Sequence, residues 1–351
     1  VLITAPSLDA RQNVSGISTL VKEITEHSNC DFEHFAAGRR DGEKAGPVWL
    51  LRQGLLPFRF FLKLLRGSYD LVHVNTALDP LAIYRDAVVT VIAKMLGFPV
   101  LVHIHGGRLL FGDSPDRFFV LVLRIMLRVA STVIILSDKE KDLVVKLAPQ
   151  SRLTVLPNAV ATDKAAERQK RKEIKTIVFI GRIHESKGLD EIVKTCRTLL
   201  EEGLEFQFRC YGAGPQEKEF TGEMEALLGT SFSHAGVVDA VGKWKALADA
   251  DIFFLPSRFE GLPISLLEAM AAECVPVVSR VGSIDSIIED GRNGFLVEPN
   301  DLGSCVEAIR PLLNGETDLA AIGHNARMTV VEDFDMKKYS LRLCELYENI
   351  K

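Results

Sequence analysis

Short apolar runs alternate with longer stretches of helical periodicity along most of the chain. Val1–Ala5, Leu71–Asn75, Val100–His105 and Thr132–Leu136 are continuous apolar or β-branched segments of strand length, the pattern of strands buried on both faces. Ile17–His27 and Ala82–Leu96 repeat their apolar positions at helical spacing between them. Ser137 followed by Glu140 has the form of a capping box and predicts a helix start after the fourth strand. After a strand-like Leu153–Leu156 comes Pro157-Asn158 and a polar, charged stretch from Thr162 to Lys175, the best candidate for a domain boundary. The alternation then restarts. Thr176–Ile180, Gln207–Tyr211, Ile252–Leu255 and Val275–Ser279 predict strands, with helices beginning near Leu189, Gly242, Pro263, Ser283 and Leu302. Alternation in both halves predicts an α/β chain of two doubly wound sheets facing a central cleft, with ligands at the carboxyl ends of the strands.

A length of 351 residues is comfortable for two domains, and 47% hydrophobic with 25% charged residues describes an ordinary globular protein. Cys30, Cys196, Cys210, Cys274, Cys305 and Cys344 form no C-x-x-C pair, which favours reduced structural thiols over disulfides or zinc. The opening Val-Leu-Ile-Thr-Ala-Pro is too short for a signal peptide and no long apolar run follows, so a cytoplasmic location is expected. The net charge of −5 conceals an asymmetry. Residues 1–156 hold 19 Lys and Arg against 15 Asp and Glu, a net of +4, and the rest hold 23 against 32, a net of −9. The positive charge gathers at Lys44, Arg52, Arg59, Lys63 and Arg66, interleaved with large apolar residues over 44–69 and free of acidic neighbours in sequence. Such a segment can lie on an anionic membrane surface; the plainer reading is a core-facing helix with snorkelling basic side chains. Arg117 to Arg128 poses the same choice. An acidic chain without an aromatic-interleaved basic stripe excludes nucleic acid as an expected partner.

The richest stretch for chemistry is Arg258-Phe259-Glu260-Gly261-Leu262-Pro263-Ile264-Ser265-Leu266-Leu267-Glu268. The first carboxylate falls in a strand-to-helix loop and the second about one turn into the helix. Between them the helix N-terminus offers backbone N–H groups that suit an anion. Sugar hydroxyls for the carboxylates and a phosphate for the helix end make a sugar phosphate the anticipated ligand. Gly181-Arg182-Ile183-His184-Glu185-Ser186-Lys187-Gly188 sets a guanidinium and an ammonium at another strand end, a pairing suited to a diphosphate. Tyr211-Gly212-Ala213-Gly214-Pro215 ends the next strand with a backbone able to approach a ligand closely.

The order G-R-x4-K-G, G-x-G-P, E-x7-E and Gly291-x-x-Gly294 resembles the retaining glycosyltransferases of family 4, strongly over about residues 176–300. Ser15-Gly16-Ile17, His103-Ile104-His105-Gly106-Gly107 and Leu156-Pro157-Asn158-Ala159-Val160 extend the likeness more loosely into the first half. The resemblance implies the GT-B fold: two Rossmann-like domains, here 1–160 on the acceptor side and 161–334 on the donor side, with a closing helix over about 335–351 that packs back on the first. By position it implies that Arg182 and Lys187 neutralise the donor diphosphate, Glu268 binds the ribose, and Glu260 holds the transferred sugar. Backbone groups of Leu262 and Ile264 assist beside Pro263, Val238 meets the base, His105 lies beside the reactive carbon, and Gly16 lets a helix approach the diphosphate. Three departures stand out: Ser15 before Gly16, Ala159 for a usual glycine, and Glu273-Cys274 where a smaller pair is common.

The implied activity is metal-independent, retaining transfer from a UDP- or GDP-sugar to an acceptor hydroxyl of a glycan or lipid-linked acceptor, in bacterial surface polysaccharide assembly at the inner membrane face. No cofactor is expected. A retaining glycosidase would leave Arg182 and Lys187 unexplained, while a non-catalytic sugar-nucleotide module or an epimerase of related fold are the alternatives. Asp249-Ala250-Asp251 has the D-x-D form of a metal site but leads into a buried strand, where helix-end polarity is the expected role. His103 and His105 have the spacing of two ligands on one strand face without an accompanying cysteine or carboxylate cluster.

Overall fold

The computed structural model describes residues 1–9, 12–38, 43, 46–107, 116–166 and 173–351, with the backbone only of Val48. The chain divides into two compact units, Val1–Asn158 with Lys337–Lys351, and Ala159–Met336.

The first unit runs β1 (Leu2–Ala5), α1 (Gly16–His27), β2 (Glu33–Ala36), α2 (Pro47–Arg66), β3 (Val72–Thr76), α3 (Pro80–Met95), β4 (Val100–Ile104), α4 (Arg117–Val129), β5 (Thr132–Ile135), α5 (Asp138–Leu147) and β6 (Leu153–Val155). Its strands form one parallel sheet in the order β2-β1-β3-β4-β5-β6. The order reverses between β1 and β3, so the loops leaving those two strands diverge and open a crevice at their carboxyl ends. Apolar side chains cover both faces. Leu2, Val72, Val74, Val100 and Val102 pack under Phe60, Ile83, Phe119 and Leu123 of α2, α3 and α4, while Ile3 and Ala5 meet Val21 of α1. The capping box forms as expected: Ser137 Oγ accepts from the Glu140 N–H (3.2 Å), and Glu140 Oε2 accepts from the Leu136 N–H (3.0 Å).

The second unit runs β7 (Lys175–Ile180), α6 (Leu189–Glu201), β8 (Phe206–Tyr211), α7 (Glu217–Leu228), β9 (Phe232–His234), α8 (Ala240–Ala248), β10 (Ile252–Leu255), α9 (Ile264–Ala271), β11 (Val275–Ser279), β12 (Phe295–Val297), α10 (Leu302–Leu313) and α11 (Leu319–Asp333). Its parallel sheet has the order β12-β11-β10-β7-β8-β9, with the reversal between β7 and β10. Where a helix was expected near Ser283 there is only a 3-10 turn, Ile284–Ser286. The last helix, α12 (Met336–Ile350), belongs to the first unit from Lys337 onward. There the Tyr347 hydroxyl lies 2.7 Å from His73 Nδ1, and Phe32 meets the Tyr347 ring edge-on.

All six cysteines are free. Burial raises the thiol pKa of Cys196, Cys210 and Cys305, the last two to about 12, so these are inert packing groups. Cys30 and Cys344 approach to 3.1 Å between sulfurs.

Candidate functional site

The loops that leave β7 and β10, the two strands flanking the topological reversal, carry the motif residues of the second unit. After β7 the chain turns through Gly181 and a 3-10 turn, Glu185–Lys187, capped by His184, whose Nδ1 accepts from the Ser186 N–H (3.2 Å). Gly188 then adopts φ +72°, and a Cβ there would stand 2.0 Å from the Pro256 carbonyl oxygen. Glycine therefore lets the β7 loop lie against the β10 loop, and the Arg258 N–H donates to Ser186 O (2.9 Å) across the contact.

That contact brings Lys187 onto Glu260, 73 positions away: Nζ to Oε1 is 2.6 Å, with Ser257 Oγ donating to the same oxygen at 2.7 Å. The Glu260 side chain is 9% exposed and that of Lys187 23%, so the pair sits in a recess yet remains reachable. Gly282 braces the loop from behind, because a Cβ there would fall 2.1 Å from Glu260 O. Arg182 is exposed in the same β7 loop.

The helix α9 begins without a side-chain cap, with Pro263 at the cap position and Ile264 as its first residue. Leu262 and Ile264 are buried. Glu268 lies just over one turn in, buried, and its Oε1 accepts from Lys243 Nζ on α8. Lys243 escaped the sequence reading. Its signal was present in Val238-Asp239-Ala240-Val241-Gly242-Lys243, which follows a strand end and opens a helix capped by Asp239 (Oδ1 from the Gly242 N–H, 2.8 Å). Val238, half-buried, stands at the foot of that helix. Each carboxylate of the E-x7-E pair is thus held by a lysine from a different loop or helix.

The glycines of Tyr211-Gly212-Ala213-Gly214 lie close against the β7 loop. Cβ atoms at Gly212 and Gly214 would come within 1.9 and 2.0 Å of the Gly181 and Ile183 carbonyl oxygens. Their role is to let the β8 loop lie flush on the β7 loop, sealed by Ile183 N–H to Ala213 O (3.0 Å) and Gly212 N–H to Gly236 O (2.8 Å). Both carboxylates of the D-x-D segment have protein partners. Buried Asp251 accepts the Thr176 N–H at Oδ2 (3.0 Å), and Asp249 ends α8 3.9 Å from Arg209.

In the first unit, Gly16 opens α1, and Ser15 caps it with Oγ accepting from the Ser18 N–H (3.2 Å). His105 follows β4, with Nε2 2.7 Å from Asn75 Oδ1 at the end of β3. Its ring lies 3.9 Å from that of His103, which stacks on His73 at 5.6 Å. Burial lowers the His105 pKa to about 3 against an opposing hydrogen bond with Asn158; burial also holds His73 near 3 and His103 well below its usual value. All three are neutral. The one His, Cys and carboxylate group close enough to share an ion, among the described residues, is Glu23, Glu26 and His27 on α1, so His103 is a stacked core residue.

Residues 161–329 match the family model of glycosyl transferases group 1, and residues 18–159 match that of the glycosyl transferase 4-like domain. The two models adjoin and together account for both sheets, and the fold is the GT-B fold of glycosyltransferases. Among relatives, WcaL of Escherichia coli K12, assigned by name to colanic acid biosynthesis, is 33% identical over 186 residues. That match covers 49% of this chain and 44% of WcaL, so it spans less than half of the relative. The capsular polysaccharide biosynthesis glycosyltransferase CapM of Staphylococcus aureus is 26% identical over 70% of this chain and 69% of its own. A UDP-Gal:alpha-D-GlcNAc-diphosphoundecaprenol alpha-1,3-galactosyltransferase of Escherichia coli is 23% identical over 80% of this chain and 76% of its own. In fold, sucrose-phosphate synthase of Thermosynechococcus elongatus superposes at a TM-score of 0.81 with 17% identity, over 99% of this chain and 98% of the other. HepE of Anabaena, solved with UDP-glucose, superposes at 0.76 with 18% identity over 99% of each.

Proposed function

We propose that the chain is a retaining glycosyltransferase that moves a sugar from a UDP- or GDP-sugar to a hydroxyl of a glycan or lipid-linked acceptor in surface polysaccharide assembly. The observation that carries this is the arrangement at the β7–β10 reversal. A lysine-held carboxylate stands at each end of an uncapped helix start, with Arg182 and Lys187 in the adjoining loop. On this reading the donor exchanges those internal ion pairs for its own contacts. Its diphosphate takes Arg182 and Lys187, the ribose takes Glu268, the transferred sugar takes Glu260 and the backbone around Leu262, Pro263 and Ile264, and the base rests at Val238. His105 and Gly16 act from the first unit, the histidine on the sugar and the glycine by close backbone approach. The names of the relatives support polysaccharide assembly, and the UDP-galactose and diphosphoundecaprenol in one name support a nucleotide-sugar donor and a lipid diphosphate acceptor.

In this mechanism the enzyme contributes position and charge rather than a covalent partner. Positive charge fixed on the leaving diphosphate stabilises the negative charge that grows there as the glycosidic bond breaks. Arg182 and Lys187 supply the charge that a divalent ion supplies in metal-dependent enzymes, and Asp251 is engaged by backbone, which supports metal-independent transfer. A thermal-shift screen with UDP-, GDP- and ADP-sugars, followed by product analysis with a polyprenyl-diphosphate sugar acceptor, tests the proposal. Stabilisation by one donor class and transfer with retained anomeric configuration are expected. Absence of any donor-dependent shift, or an inverted product, would refute it.

A further inference from the structure

Asn75 sits at the carboxyl end of β3, 2% exposed, with every polar atom of its side chain committed. Its Nδ2 donates to the Thr4 carbonyl on the neighbouring strand at 2.9 Å, and a carbonyl can only accept. The amide orientation is therefore fixed, and Oδ1 is the atom that faces His105 Nε2 at 2.7 Å. An amide oxygen cannot donate, so His105 Nε2 must carry the ring proton. Backbone bonds hold both partners in place: the His105 N–H donates to Thr76 O (2.9 Å), and the Asn75 N–H donates to Thr4 Oγ1 (3.2 Å).

We infer that Asn75 is a positioning residue that fixes His105 as the Nε2–H tautomer, so that the imidazole meets a substrate hydroxyl as a hydrogen-bond acceptor through Nδ1. The contact with substrate rests on the proposed transfer reading; the tautomer does not. A ring locked this way can orient a sugar hydroxyl but cannot donate a proton to it. The titratable groups around the ring add no charge. His103 and His73 stack behind it as neutral rings, Tyr347 bonds His73, and Arg85 and Asp86 of α3 pair at 2.7 Å, with Asp86 also bonding the Thr76 side chain. Asn158, a further hydrogen-bonding neighbour of the ring, is an uncharged amide.

Two variants test this on the full chain. Asn75→Ala removes the acceptor. Asn75→Asp keeps it, because a carboxylate oxygen accepts from Nε2–H as the amide oxygen does. Histidine ring resonances of uniformly 15N-labelled protein should show His105 as the neutral Nε2–H form in the parent and as mixed tautomers in Asn75→Ala. In activity, Asn75→Ala should lose about ten-fold in kcat with donor KM within about two-fold, as expected for lost orientation rather than lost binding. Asn75→Asp should keep the Nε2–H form and stay within about three-fold of the parent at pH 8. A parent His105 protonated on Nδ1, or an Asn75→Asp chain with mixed tautomers like those of Asn75→Ala, would overturn the inference. The resonances are read without turnover, so a chain that transfers no sugar fails the functional proposal and leaves this test intact.

Discussion

At the scale of single residues, Lys187 and Glu268 make separable predictions. Under the proposed function Lys187 stabilises charge that appears only as the leaving group departs. Lys187→Ala should lower kcat by about 100-fold while the melting temperature holds within a few degrees. Glu268 binds a part of the donor that does not react, so Glu268→Ala should raise donor KM by about ten-fold with a smaller effect on kcat. Steady-state kinetics with the donor found in the screen checks both, and parent-like rates in both would remove the site assignment. Glu273 makes a prediction about stability instead. It follows α9 at φ +61° in a Schellman turn, with the Glu273 N–H bonded to Met270 O (3.0 Å) and the Cys274 N–H to Ala269 O (3.0 Å). Gly97 and Gly203 fill the same place after α3 and α6. Glu273→Gly should relieve about 1 kcal/mol of backbone cost and raise the melting temperature by a few degrees, measurable by calorimetry.

At the scale of elements, α2 has two faces with opposite meanings. Leu56, Phe60 and Leu64 enter the core, while Leu50, Leu51, Leu55, Phe58 and Leu65 are exposed. The neighbouring α3 and α4 add exposed Leu81, Phe118, Leu121 and Ile125. The core-facing expectation describes the buried face, and the membrane reading of the exposed face is a proposal. Its charge is more compensated than the sequence implied, because Arg52 pairs with Glu43 (2.7 Å) and Lys63 with Glu33, while Lys44 lies outside the described residues. Among the described residues no helix is long and apolar enough to cross a membrane. We therefore expect the chain to float with vesicles rich in anionic lipid and not with neutral ones. Phe58→Ser with Leu65→Ser should weaken flotation, and equal recovery with both vesicle types would sink the membrane reading. The strands β3 and β4 yield a pH prediction. His73, His103 and His105 are neutral in the fold with lowered pKa values, whereas the unfolded chain protonates them near pH 6.5. The unfolded state then binds more protons as pH falls below about 6.5, so stability must decline from there toward pH 3 and be flat above. Urea midpoints across that range should show the slope, and His103→Leu should reduce it.

Central elements were legible because they are buried on both faces: Ile252–Leu255 and Val275–Ser279 read as unbroken apolar runs and are the strands observed. Of the four edge strands, β6 was read from its run Leu153–Leu156, whereas β2, β9 and β12 were not. They are three or four residues long with exposed or half-buried positions, too short to establish a period. Helix α11 hides its stripe of Leu319, Ile322, Ala326 and Val330 among Gly323, Thr329 and other weak helix formers. Local chemistry was legible in the same uneven way. The carboxylates and the loop cations were visible as motifs, but the Lys187–Glu260 contact joins residues 73 apart and depends on Gly188 and Gly282 allowing loops to touch. The Asn75–His105 bond likewise joins two strands whose pairing no local pattern specifies.

At the scale of the whole molecule, the first unit is discontinuous: its sheet comes from the first 158 residues and its last helix from 337–351. Tyr347 is 1% exposed and completes the histidine stack through His73, so α12 is part of that unit's interior. Ending the chain at Met336 should expose the His73 face, lower the melting temperature of the first unit and leave the second intact. Two transitions in calorimetry would separate where the parent's lie closer together. This layout also sets an order in time. As the chain leaves the ribosome, residues 159–336 emerge as an uninterrupted stretch and can fold at once, whereas the unit begun before them must wait for residues 337–351. Until Tyr347 arrives, the strands that carry Asn75 and His105 stand open on one side, and the earlier sheet waits on a helix made after the whole of the second unit.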